Sequence, residues 1–255
     1  MKQKKEEYNA DLTHISSSSK SIFLLGGISS MILIVYSLAT ILIMVFIGPP
    51  PETITECFTM LNLNKFFGLL RLDILTVFAM PLYYLLFYSI YKALKKPNTG
   101  EIVTIITILI FVGLTLFLAT PSVFSYLDLS DKYAIATSEI QRNQLLSAGQ
   151  AILASDMWHG TGAKIGGMLL QTGALLISVV MLKQKVFNKL TAYTGIFTHG
   201  LDLAHILIGF FLPAVGNILM AIAGPLYLLW FPLVGARLFK LSRYCQRNNE
   251  SSISY

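Results

Sequence analysis

The chain has 255 residues, 55% hydrophobic and only 13% charged, with a mean hydropathy of +0.66; an average soluble domain carries roughly 25% charged residues, so the composition excludes that class and places the chain in a bilayer. The formal charge of +6 is distributed as a topology signal rather than as a patch for nucleic acid, and no nucleic-acid partner is expected. Cys57 and Cys245 lie near opposite ends of the chain and, on the topology derived below, on opposite sides of the membrane, so neither a disulfide nor a cysteine metal site is expected.

Residues 1–20 are polar and mixed in charge, with a serine run at Ser16–Ser19 and a solvated His14, and read as a cytoplasmic tail. Residues 21–48 form an apolar run of 28 residues. That is longer than the roughly 7–15 of a signal-peptide core, and the run ends in Pro49-Pro50-Pro51 without a cleavage pattern, which predicts a first spanning helix. Residues 49–65 read as a short loop. Residues 66–94 read as a second span, with Arg71 and Asp73 near its start, Pro81 near its middle and a tyrosine belt at Tyr83, Tyr84, Tyr88 and Tyr91. The third span, 102–120, is uncharged after Glu101 and stops at Pro121.

Residues 121–160 are the one long polar region, whose leucine, isoleucine and alanine content argues against disorder. Within it, Ser138–Met157 places Ile140, Leu145, Leu146, Ile152 and Leu153 on one side of a helix, so one or two surface helices over the mouth of a bundle are expected. The fourth span, 162–182, is glycine-rich, with Gly162-x-x-x-Gly166 spacing that lets another helix approach closely and Gln171 near its centre. Its opening HGTGAKIGG lacks the Gly-Lys-Ser/Thr order of a phosphate loop. The fifth span, 193–213, is apolar yet carries His199, Asp202 and His205. The sixth, 214–239, has Gly224-Pro225 in its middle, and 241–255 reads as a second cytoplasmic tail closing a membrane domain of 21–240.

Counting lysine and arginine sets the orientation. With the N-terminus inside, the inner segments hold Lys2, Lys4, Lys5, Lys20, Lys92, Lys95, Lys96, Lys183, Lys185, Lys189, Arg237, Lys240, Arg243 and Arg247, 14 of the 19 basic residues. The other five, Lys65, Arg71, Lys132, Arg142 and Lys164, fall on or near the outer side. The positive-inside rule then gives a plasma-membrane protein with both termini cytoplasmic. The expected fold is all-α: a bundle of six transmembrane helices with a helical extracellular loop, 121–160, between helices 3 and 4.

On a helix at about 100° per residue, His199, Asp202 and His205 share one arc with Thr194, Gly195, Thr198 and Gly209, opposite an apolar face. At 1.5 Å per residue Asp202 lies close to the midplane, Gln171 at its level, and Asp73 about 10 Å further out in the second span. With Arg71, His159 and Lys164 at the outer rim, these groups grade from the surface to mid-membrane, and an outward-facing polar pocket is expected. A carboxylate near the bilayer centre costs at least about 2.5–3.5 kcal/mol, so Asp202 needs a reason. It is a structural partner of His199, His205 or Arg71, a carboxyl kept protonated by desolvation, or a functional group. For the others there is a plainer reading: helix packing for His199, His205 and Gln171, snorkelling to the interface for Arg71, and solvation for His159 and Lys164.

A metal held by Asp202 and one histidine is conceivable, with His159 or Asp73 completing it. All three fifth-span groups on one ion are disfavoured, because His199 and His205 are about 9 Å apart along the axis. No cofactor is expected: a bis-histidine haem needs ligands from opposing helices, and no serine or cysteine nucleophile motif is present.

The second-span string FGLLRLDILTVFAMPLYYLLFYSIYKALKKPN, the loop string QRNQLLSAGQAILA and the glycine-rich fourth span followed by VMLKQKVFNKLTAYTGI resemble a family of bacterial six-helix membrane proteins catalogued as a domain of unknown function. The resemblance covers most of residues 21–243. It implies an inner-membrane location and the six-span fold, points to Arg71, Asp73 and the Gln144–Ala151 stretch, and brings no activity. The expectation is a protein that binds, senses or transports a small molecule. Asp73 and Asp202 would form the floor of its site, His199 and His205 would modulate them, Gln171 would line it, and Arg71 would guard the entrance. A membrane-embedded metal-dependent hydrolase, or a structural subunit pairing with itself or another membrane chain, are the alternatives.

Overall fold

Apolar runs of membrane length leave the backbone no water to bond, and the helix satisfies every N–H and C=O internally. The computed structural model describes residues 17–120 and 122–253, and among them every regular element is helical. After a short 3₁₀ turn at Ser17–Ser19 the helices are α1 (Lys20–Phe46), α2 (Ile54–Leu63), α3 (Lys65–Arg71), α4 (Ile74–Leu94), α5 (Gly100–Leu118), α6 (Val123–Ile135), α7 (Glu139–Leu153), α8 (Thr161–Lys183), α9 (Lys189–Gly209) and α10 (Pro213–Ile253). His14, most of the expected N-terminal tail, and Pro121 lie outside the described residues.

Five helical stretches are long and apolar enough to cross a membrane: Lys20–Phe46, Ile74–Leu94, the one that begins at Gly100, Thr161–Lys183 and Pro213–Asn248. The chain is thus an all-helical, multi-pass membrane protein. α9, at 21 residues, is as long as α4 but is not among the five, because His199, Asp202 and His205 dilute its hydropathy. At the C-terminal end the helix does not stop at residue 239. With no glycine or proline after Gly235, α10 runs through the expected tail for 41 residues, burying Leu238, Leu241 and Cys245.

The second span starts differently from expectation. The apolar run 66–94 breaks at Leu72-Asp73, where Asp73 has φ 55°, the one positive value at a non-glycine residue among those described. Aspartate tolerates this left-handed conformation better than most residues. Arg71 and Asp73 therefore end one helix and precede another instead of lying on opposite sides of a single one. The expected loop 49–65 also contains α2, whose N-cap Thr53 accepts from Glu56 N at 3.2 Å. This Thr-x-x-Glu start is a capping pattern.

Two compact units divide the chain: Met1–Val35, Pro81–Leu114 and Gly167–Tyr255 form the first, Tyr36–Met80 and Thr115–Gly166 the second. The core of the second is Ile54, Cys57, Phe58, Met60, Leu61, Leu72, Val123, Tyr126 and Leu153, with Leu146 and Ile152 packed against it. The expected apolar side of α7 thus forms at its C-terminal half only; Ile140, at the first turn, is exposed. Ser138 caps α7 by accepting from Gln141 N.

In the first unit α8, α9 and α10 lie side by side. Gly167 approaches Ile206, Gln171 meets His199 and Asp202, and Gly195 abuts Ser178, so α9 runs antiparallel to α8. Gly216 touches Gly209, Tyr227 meets Asp202, and Trp230 abuts Gly195, so α10 is antiparallel to α9 in turn. The three form an up-down-up layer. On its other side Gly173 lets α8 approach the α5 backbone, where an added Cβ would lie 3.3 Å from Ile106 O and Ile110 N.

Candidate functional site

Four side chains from the three-helix layer meet in one hydrogen-bonded cluster. Gln171, mid-α8, extends its amide between α9 and α10. Its Nε2 donates to Asp202 Oδ2 at 2.6 Å and to Tyr227 Oη at 3.0 Å. Tyr227 Oη donates to the same Asp202 oxygen at 2.7 Å. Gln171 Oε1 faces His199 Nδ1 at 2.8 Å and also takes a longer bond, 3.3 Å, from Tyr227. Because an amide oxygen only accepts, the proton of the imidazole sits on Nδ1, leaving Nε2 as an acceptor.

Both donors to Asp202 converge on Oδ2, and Oδ1 takes no bond among the described residues. Asp202 and Tyr227 are half-buried, whereas His199 and Gln171 are buried. The cluster is closed at its histidine end, and its less enclosed end is the one that carries Asp202 and Tyr227.

An aromatic shell closes the buried end. Trp230 stands edge-on to the His199 imidazole, ring centroids 4.6 Å apart, and Tyr227 and Phe87 approach it at 5.5 and 6.4 Å. Phe231 packs on Tyr227, and Tyr83 on Phe87 and Phe231. Tyr83, expected in an interfacial belt, is thus a buried member of this shell; Tyr88 and Tyr91, with Lys92 and Lys95 over their rings, keep belt character. His199 Nε2 and Trp230 Nε1 are both buried without a hydrogen-bond partner. One is an acceptor and the other a donor.

In comparisons of the chain with protein-family models, with curated proteins and with solved structures, none matched. The reading of the site therefore rests on its geometry.

The groups singled out in the sequence separate. Gln171, His199 and Asp202 meet directly. His205, on the same arc of α9, instead bonds through Nδ1 to Gly216 O at 2.9 Å. His205 thus has one ring nitrogen engaged by the α10 backbone, and no three His, Cys, Asp or Glu residues gather as a metal site among the described residues.

Arg71 and Asp73 belong to the second unit. Arg71 Nη2 pairs with Glu56 Oε1 at 2.7 Å and Nε donates to Pro49 O at 2.8 Å. That carbonyl is presented where Gly48, with φ 121°, turns the chain out of α1. Asp73 accepts from Thr76 Oγ1, which in turn is bonded to Tyr36 Oη at 2.6 Å. His159 pairs through Nδ1 with Asp156 Oδ1 at 3.0 Å; Asp156 also holds the Trp158 and His159 amides and Tyr126 Oη, so it organises the approach to α8.

Sequence reasoning missed Tyr227 and Trp230. Their signal was present: Gly195, on the polar arc of α9, has no side chain where Trp230 Nε1 lies, an added Cβ falling 2.6 Å from it.

Proposed function

We propose that the protein binds a small polar molecule at Asp202 as a membrane sensor or transporter, its ligand presenting an N–H or O–H donor to the carboxylate. The observation that carries this reading is the convergence of Gln171 Nε2 and Tyr227 Oη on Asp202 Oδ2. Two fixed donors orient the carboxylate and leave its second oxygen to accept from outside. An intramembrane ionisable group held in this way is a functional site by default. Asp73, with its own hydroxyl chain, is a second acidic position in the proposal; Arg71 is engaged by Glu56 and Pro49 within the second unit.

The proposal includes six spans. α9 is about 31 Å long, matching the roughly 30 Å hydrocarbon core. It joins two membrane-crossing helices that run parallel to one another, through connections of residues 184–188 and 210–212. Two parallel crossings joined by so few residues require a third crossing between them, which supports α9 as a span. Its polar groups are tolerable there because each finds a partner on α8 or α10.

Cytoplasmic termini belong to the same proposal. Ser242 bonds Lys20 O, Arg237 bonds Val186 O, and Gln184 bonds Leu94 O, so the segments bearing Lys20, Lys92, Lys95, Lys96, Lys183, Lys185 and Arg237 meet at one end of the first unit. One basic end supports a cytoplasmic assignment under the positive-inside rule. The resemblance noted in the sequence adds a bacterial inner membrane.

Two measurements test this. Wild type and Asp202→Asn in nanodiscs are melted against panels of amines, alcohols and carboxylates. Donor-bearing compounds should raise the wild-type melting temperature and leave the variant unmoved; equal shifts, or none with any panel, overturn the site. Single cysteines at positions 188 and 212 in a background without Cys57 and Cys245 should label from opposite faces of intact cells. Labelling from one face overturns the sixth span.

A further inference from the structure

At the basic end of the first unit, the turn from α4 to α5 shapes an open cleft of about 920 Å³, lined by Lys95, Lys96, Pro97, Gly100, Glu101, Thr104 and Ile105. Lys95 Nζ bonds Tyr91 Oη at 2.7 Å and sits 5.2 Å from the centroid of its ring, while Lys92 Nζ lies 5.9 Å from that of Tyr88. The aromatic rings thus hold ammonium groups at the level where tyrosine sits in a membrane, between headgroups and hydrocarbon. Thr104 Oγ1, donating to Gly100 O and to Tyr91 Oη, ties the first turn of α5 to the end of α4.

Below the cleft, Ile102, Ile105, Ile108 and Val112 recur at helical spacing along α5 and are all exposed. That stripe is a wall for hydrocarbon. A charged recess continuous with an apolar track matches a molecule anionic at one end and aliphatic at the other.

We propose that this cleft holds an anionic phospholipid, its phosphate between Lys95 and Lys96 and one acyl chain along Ile105, Ile108 and Val112. The proposal rests on the membrane reading above but not on the Asp202 site. A free phosphate shares the headgroup chemistry, but the isoleucine track would then have no occupant. Glu101 in the lining repels the phosphate, so the affinity is that of the two lysines against one carboxylate, and Glu101→Gln strengthens it.

The test uses full-length protein in detergent, followed by native mass spectrometry during titration with phosphatidylglycerol, phosphatidylcholine and inorganic phosphate. Phosphatidylglycerol should bind in preference to phosphatidylcholine, and Lys95→Ala/Lys96→Ala should weaken it about thirtyfold, since each of the two lysines near an anionic surface contributes roughly 1 kcal/mol. Lys95→Arg/Lys96→Arg should retain binding, and Lys183→Ala/Lys185→Ala, at the same end but outside the cleft, should leave it unchanged. Equal affinity for the two lipids, an equal loss in the Lys183/Lys185 variant, loss in the arginine variant, or displacement by millimolar phosphate each overturns the site. A protein that fractionates without membrane overturns the membrane reading instead.

Discussion

Gly216 of α10 packs backbone to backbone against Gly209 of α9: a Cβ at position 216 would lie 2.8 Å from Gly209 Cα and 3.2 Å from both Gly209 N and His205 O. No flexible side chain is there to yield. Gly216→Ala should force the two helices apart near their connection and cost about 1–3 kcal/mol, the range for overpacking a tight contact. SDS-induced unfolding should show the loss. Gly224→Ala, where nothing lies within 4 Å of the added carbon, should be neutral or slightly stabilising.

Tyr227 and Gln171 share one acceptor oxygen of Asp202, so their removal should not be additive. A cycle of Tyr227→Phe, Asp202→Ala and the double variant should give a coupling of about 0.6 kcal/mol and not above about 1.7, the range found between membrane helices. Zero coupling in unfolding titrations would mean that the bond is not formed.

At Asp73 the backbone decides. Its φ of 55° suits glycine and asparagine, whereas a β-branched residue meets the left-handed clash of about 1–2 kcal/mol. Thermal melts should rank Asp73→Gly and Asp73→Asn above Asp73→Ala, with Asp73→Val lowest. A reversed order would show that the left-handed backbone does not limit what this position accepts.

Cys57, on α2, is fully buried, and burial pushes its thiol from 9.0 up to about 12, with Glu56 and Asp156 adding to the shift and Arg71 opposing it. Alkylation of the folded protein should keep rising through pH 10 in place of levelling near 9. The folded state holds this proton more tightly than the unfolded one. The stability it contributes is therefore complete below pH 9 and declines as pH rises from 9 towards 12. With Cys245 replaced by serine throughout, Cys57→Ser should abolish the labelling, and Cys57→Ala should flatten that part of the pH profile.

Arg71 is engaged at two atoms, Nε on Pro49 O and Nη2 on Glu56. Lysine carries one ammonium and reaches one partner, so Arg71→Lys should lower stability by about 1 kcal/mol, the net value of one hydrogen bond. A melting curve unchanged from wild type would show that one contact suffices.

The sequence discloses this architecture unevenly, and the reasons are physical. Membrane-length runs such as Lys20–Phe46 and Thr161–Lys183 declare themselves because hydrocarbon imposes both length and composition. Asp202 is visible as a charge out of place, and depth alone puts Gln171 at its level. The break at Asp73 is hidden because its determinant is a dihedral angle and its flanks, Phe66–Leu70 and Ile74–Ile90, are apolar on both sides of it. Tyr227 and Trp230 are hidden for a different reason: both look like apolar residues of a spanning helix, and their roles depend on how α10 is rotated against α9. His205 shares the polar arc of Asp202 yet faces Gly216, because within one turn of the helix end the neighbouring surface changes from side chains to backbone.

The two α10 members of the cluster, Tyr227 and Trp230, lie between Pro225 and Pro232. Each proline removes one rung of the helix, so the segment bearing them is flanked by two points of reduced bending stiffness. Past Pro232 the helix continues to Ile253, about 31 Å of unbroken rod. A bend of about 10° at that proline would sweep the far end through roughly 5 Å, so small changes of angle beside the Asp202 cluster would be magnified at the basic end.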